Sequence, residues 1–117
     1  MKDQLIKTVT SEDQLQANCF FWFNNTYPHL RGYLFHPANG GKRSKREANK
    51  MKAMGVLPGI PDLIFIYPLT GIELKFGKGT TSDSQKAIHN LWISLGIPIH
   101  IVRSEDEFQI LLKKLIS

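Results

Sequence analysis

Asp62, Glu73 and Lys75 stand out in the stretch GIPDLIFIYPLTGIELKFGKG, residues 59–79, because what surrounds them reads as two apolar strands joined by a tight turn. Burying an unpaired charge is costly, so a purely structural hairpin should avoid all three. Two carboxylates brought to one place repel each other, and a hard divalent cation such as Mg²⁺ removes that repulsion by taking oxygen ligands. The ion holds a phosphate oxygen and lowers the pKa of a bound water. A lysine beside it can position the attacking water or neutralise charge on a phosphorane-like transition state. That chemistry is phosphodiester hydrolysis. An acid, any residue and a lysine turn up roughly once by chance in a chain of this length. The weight therefore comes from Pro61-Asp62 opening an apolar strand one turn earlier.

The elements that must position these groups can be read from the pattern. PLTG, residues 68–71, is expected as a four-residue hairpin loop with Gly71 left-handed, so that Tyr67 pairs with Ile72. Period-two alternation then puts Asp62, Ile64 and Ile66 on one face together with Glu73 and Lys75, and Ile72, Leu74 and Phe76 on the other. In that register Asp62 stands four residues out of step with the partner of Glu73. At ~3.3 Å per residue this is too far for one ion, and a twist, splay or bulge is required.

Upstream, Ser11 and Gln14 form a capping box for a helix whose stripe is Leu15, Cys19, Trp22 and Phe23, ended by Tyr27-Pro28. GYLFHP is a short strand, ANGGKRSKR a basic glycine-rich loop, and EANKMKAM a short helix stopped by Gly55. Downstream, Ser82 and Gln85 cap a helix with Ile88, Leu91, Trp92 and Leu95 inward, and Gly96 stops it. IPIHIV is the last strand; Ser104 and Glu107 cap a final helix lined by Phe108, Leu111, Leu112 and Leu115. The order is α-β-α-β-β-α-β-α. The helical crossover from strand 72–76 to strand 97–102 makes those two parallel. The fold class is α/β, a mixed sheet of about four strands flanked by helices, in one domain over residues 1–117.

The chain has 117 residues, 42% hydrophobic, and a net charge of +5, which suits one core and an acidic partner, nucleic acid before membrane. No apolar run approaches the ~20 residues of a membrane span. MKDQLIKTVTSEDQ lacks a signal-peptide core, and the lone Cys19 makes no internal disulfide. The cytoplasm of a bacterial or phage-infected cell is the expected location. GKGT is not a P-loop, since the glycine spacing is wrong and glycine follows Lys78. His29, His36, His89 and His100 lack zinc spacing, and a core or strand-end role is expected of His36.

Taken together, PD, an apolar strand and ELK resemble the PD-(D/E)xK nucleases, and more closely the VRR-NUC (virus-type replication-repair nuclease) domain. SEDQLQ, FHPANGG, GVLPGIPDLIF, GIELKFGKGTTSDSQ and LGIPIHIVRS carry the resemblance over most of the chain. It implies a restriction-endonuclease-like core and Mg²⁺- or Mn²⁺-dependent DNA cleavage. It makes Asp62 and Glu73 metal ligands, with the backbone carbonyl of Leu74, between Glu73 and Lys75, as a further ligand, and Lys75 the catalytic lysine. Glu12 matches an acid on the first helix and Gln85 a glutamine after the ExK strand, and the resemblance of FHPANG offers His36 a second role, facing the active cleft. At ~100° per residue Glu12 falls within the arc of Leu15, Cys19 and Trp22, although an acid at a helix start is also ordinary capping. Gln85 lies on the Ile88/Trp92 side, and its capping role can coexist with a site role.

Lys42, Arg43, Lys45, Arg46, Lys50 and Lys52 crowd the segment from 42 to 52, opposed by Glu47. A solvated surface is the ordinary use of such a run; next to a nuclease motif Lys42, Arg43, Lys45 and Arg46 are expected on the DNA backbone, with Lys78. Phe21 falls nearly opposite the first helix's stripe, which suggests a partner surface and a homodimer. The resulting expectation is a structure-selective endonuclease of branched DNA, of flaps or Holliday junctions, serving repair or recombination. The alternatives are a non-catalytic DNA-binding subunit of a larger nuclease or recombination complex, and a structural protein with a charged hairpin.

Overall fold

The computed structural model describes residues 8–38 and 44–117. Lys42 and Arg43 lie outside the described residues. Four strands form one sheet in the order β1-β2-β3-β4: β1 is Leu34–Phe35, β2 Leu63–Ile66, β3 Leu69–Leu74 and β4 Ile99–Val102. β1 and β2, and β2 and β3, pair antiparallel, and β3 and β4 are parallel, with Glu73 beside Ile101 and Leu74 beside Val102. The helices are α1 Glu12–Thr26, α2 Lys45–Ala53, α3 Asp83–Ser94 and α4 Glu105–Ile116, with a 3-10 turn at Pro28–Leu30.

Alternation along the strands builds the core. Leu34, Leu63, Phe65, Ile72, Leu74 and Val102 give one face, and α1 and α4 cover it with Leu15, Cys19, Phe23, Phe108 and Leu112. Each is almost fully buried, which stabilises the fold by ~1.5–3 kcal/mol per large side chain. Burial, with help from the charge of Glu105, pushes the Cys19 thiol up to about 12, so it packs as an apolar group. Phe21 is half-buried, not exposed, and Phe20 packs against the core.

The hairpin differs from the sequence expectation. Its turn is the two residues Tyr67 and Pro68, joined by a cis peptide bond, and Ile66 pairs with Leu69. Thr70 Oγ1 donates to the Pro68 carbonyl at 2.9 Å across that turn. Leu63 therefore pairs with Ile72, a shift of four residues from the Tyr67–Ile72 pairing expected. An even shift preserves which side chains share a face and changes only who stands opposite whom. Gly71 is a β3 residue, paired with Ile64 and not left-handed. It must be glycine because a Cβ there would meet the Pro61 ring at 2.7 Å and Ile99 at 3.1 Å.

Two of the three capping boxes reach one residue further back. Ser11 and Ser104 do accept the N–H groups of Gln14 and Glu107. The Gln14 and Glu107 side chains instead accept from Thr10 and Arg103, the residues before each cap. Only the box of Ser82 and Gln85 is reciprocal. α3 buries Ile88 and His89, while Leu91 and Leu95 are 50% and 67% exposed, contrary to the inward stripe expected of them.

Candidate active site

The pairing of Leu63 with Ile72, continued by one residue, sets Asp62 opposite Glu73. Opposed residues share a face, so both carboxyls and the Lys75 amine rise on the side away from the α1/α4 core. No bulge is needed; the shorter turn supplies what the longer loop could not. Glu73 and Lys75 are buried there, Glu73 completely.

Each side chain is held. Asp62 Oδ2 accepts the Leu74 N–H at 2.8 Å, replacing the ladder bond that β2 cannot make past Leu63. Its own carbonyl accepts from His36 Nδ1 at 2.6 Å. Glu73 Oε1 accepts from Gln85 Nε2 at 2.9 Å, and Glu73 Oε2 lies 3.1 Å from His89 Nε2. Lys75 Nζ donates to Gln85 Oε1 at 2.9 Å, and the same oxygen accepts the Ser82 N–H at 2.9 Å. Gln85 therefore closes its capping box and bridges the acid to the amine at once.

The electrostatics follow from the crowding. Burial, then the hydrogen bond and charge of Asp62, push the Glu73 carboxyl up to about 9, with Lys75 opposing. Burial and the charge of Lys75 hold His89 below its ordinary value, with Asp62 opposing. Neutral His89 is then a hydrogen-bond partner of Glu73 and not an ion pair. Glu12 is raised by burial and by Asp62, and lowered by Lys75 and by a backbone hydrogen bond from Phe76. Glu12 is therefore near enough to Asp62, Lys75 and the Phe76 backbone to feel all three. The structure thus gathers Asp62, Glu73, Lys75, Glu12 and Gln85.

The donor set fits a hard divalent ion. Leu74 gives its N–H to Asp62, so its carbonyl points to the same edge of β3, past the end of β2. The residue the register would set opposite Leu74 is Pro61, which has no N–H to offer that carbonyl. Its ring turns onto Gly71 instead. Among the described residues no three His, Cys, Asp or Glu side chains enclose a metal by themselves. The available oxygens are the two carboxylates and the Leu74 carbonyl, leaving positions for water, a coordination that Mg²⁺ accepts.

Of the expected DNA contacts, Lys45 and Arg46 are exposed in the first turn of α2, so they belong to that helix and not to a loop. α2 has no buried residue. Lys78 is exposed on the loop after β3, which Arg103 Nη1 braces by donating to the Gly77 carbonyl at 3.1 Å and the Gly79 carbonyl at 2.9 Å. His36 follows the end of β1, exposed and bonded to the backbone of Asp62, a strand-end residue as expected and not a core one. His89 and Gly71 were missed as site residues. His89 stands four residues after Gln85 on one helical face, and that spacing was the available signal.

No protein-family model and no curated protein matches the sequence. Among solved structures the chain is similar to a VRR_NUC domain protein, with a TM-score of 0.74 and 24% identity over 93% of this chain and 90% of that one. That likeness establishes the fold: a mixed four-stranded sheet flanked by four helices, of the restriction-endonuclease-like α/β type.

Proposed function

We propose that the protein is a metal-dependent DNA endonuclease that prefers branched DNA, a flap or a four-way junction. The observation that carries this reading is the hairpin register, which opposes Asp62 to Glu73 with Lys75 two residues on along the same face. A structural hairpin gains nothing from two opposed acids, one of them buried with its pKa pushed up to about 9. Groups perturbed by burial and by a specific charged partner mark functional sites. The fold likeness to a VRR_NUC domain protein supports a nuclease-type domain acting on DNA.

In this reading Asp62, Glu73 and the Leu74 carbonyl hold Mg²⁺ or Mn²⁺. The bound ion supplies Lewis-acid stabilisation of charge on the scissile phosphate. Lys75 holds the attacking water and offsets the charge that grows as the water oxygen bonds to phosphorus and the ester P–O bond breaks. Gln85 keeps Lys75 and Glu73 at fixed separation, and His36 fixes the Asp62 backbone. Lys45, Arg46 and Lys78 bind the phosphate backbone.

The test uses linear, flap and four-way-junction DNA with Mg²⁺, Mn²⁺ or EDTA, alongside Lys75→Ala and Asp62→Asn. Cleavage with metal that both substitutions abolish while binding survives is the expected result. Binding without cleavage under every metal would overturn the reading and favour a non-catalytic subunit.

A further inference from the structure

Beside the paired acids lies a cavity of about 280 Å³ that the proposed chemistry leaves unused. Phe20, Phe35 and Leu63 give it apolar walls, and Asp13, Gln16 and His36 supply its polar groups. It touches the site through His36, the residue that holds the Asp62 carbonyl, near the N-terminal end of α1 that carries Glu12. Whatever fills the cavity therefore lies against the residue that fixes the Asp62 backbone.

Among the described residues the lining carries an acid and neither lysine nor arginine, which disfavours a phosphate. Its volume sits just below the range of ~300–1,000 Å³ typical of small-molecule sites, room for one heterocycle. Phe20 is fixed against the core, whereas Phe35 is 40% exposed and free to take a stacked ring. Stacking of a base on an aromatic side chain tolerates any sequence. The Gln16 amide both donates and accepts, and the Asp13 carboxylate accepts, which suits the hydrogen-bonding edge of a base. A base inside a duplex cannot enter; an unpaired or extruded one can.

We infer that this cavity binds one unpaired nucleobase next to the phosphodiester being cut, and so makes an unpaired nucleotide part of the recognised substrate. The inference rests on the nuclease reading and names how that site selects its DNA.

The experiment compares two DNAs of equal length, one fully paired and one with a single unpaired 2-aminopurine at the branch. Fluorescence is read with Ca²⁺ and cleavage with Mg²⁺, for the wild type, Phe35→Ala and Phe35→Tyr. The expected results are quenching of the unpaired 2-aminopurine by the wild type and about ten-fold weaker binding and slower cleavage of that DNA by Phe35→Ala, with the paired DNA unaffected. Phe35→Tyr, which keeps the ring, should behave as wild type. Absence of quenching, or an equal loss on both DNAs by a Phe35→Ala protein of normal melting temperature, overturns the inference. A wild type that cuts paired and unpaired DNA equally well overturns it while leaving the nuclease reading intact. A wild type that cuts neither with any metal removes both.

Discussion

Gln85 carries two demands on one side chain. Its oxygen accepts from Ser82 and Lys75 while its nitrogen donates to Glu73. Glutamate at this position would keep the first two bonds and lose the third, setting another carboxylate against Glu73. Both Gln85→Glu and Gln85→Ala should lower kcat by ~10–100-fold, the usual cost of removing a partner that orients a metal ligand. KM for DNA should change little, since Gln85 is not among the groups assigned to the backbone. Glu73 makes a separate prediction. Its pKa rises from the ordinary 4.5 to about 9, so the folded protein binds that proton more tightly than the unfolded chain does. The stabilisation is complete below pH 4.5 and is lost as pH rises through about 9. The melting temperature measured in EDTA should therefore fall between pH 5 and pH 9, and Glu73→Gln should flatten the fall.

At the scale of elements, the loop before β2 is pressed between the sheet and α3. A Cβ on Gly71 would meet the Pro61 ring at 2.7 Å, and one on Gly59 would collide with the Ser84 carbonyl. Gly71→Ala should cost ~1–3 kcal/mol by overpacking, read as a lower melting temperature. It should also lower activity, because Pro61 must shift and Asp62 with it. This close approach was not legible in the sequence, where a glycine after PLT reads as a turn residue. The register was misread for the same reason: a two-residue and a four-residue connection fit the same letters, and only packing decides between them. The shared face of Asp62, Glu73 and Lys75 was legible, because parity survives an even shift. The α3 stripe was misread because Leu91 and Leu95 look like core by type. The buried face follows Gln85, Ile88 and His89, where polar side chains have partners across the sheet.

For the whole molecule, the order of helices and strands and the mixed sheet were legible, since caps, glycine stops and alternating apolar residues all point the same way. What brings residues 12, 62, 73, 75 and 85 together is long-range and had to be seen. The apolar face opposite the first helix's stripe, read as a partner surface, proved half-buried at Phe21. The exposed cations expected on DNA, Lys45, Arg46 and Lys78, lie on α2 and on the loop braced by Arg103. If these hold the DNA backbone, Lys78→Ala should reduce the slope of log affinity against log salt by about one, and the Lys45→Ala/Arg46→Ala pair by about two, on any DNA sequence. The central claim is that Asp62, Glu73 and the Leu74 carbonyl share one divalent ion. A crystal grown with Mn²⁺ tests it most directly through the metal's anomalous signal. The account predicts a peak at roughly 2.0–2.3 Å from an oxygen of each of those three residues, absent in Asp62→Asn. A peak elsewhere, or the same peak with Asp62 replaced, would contradict it.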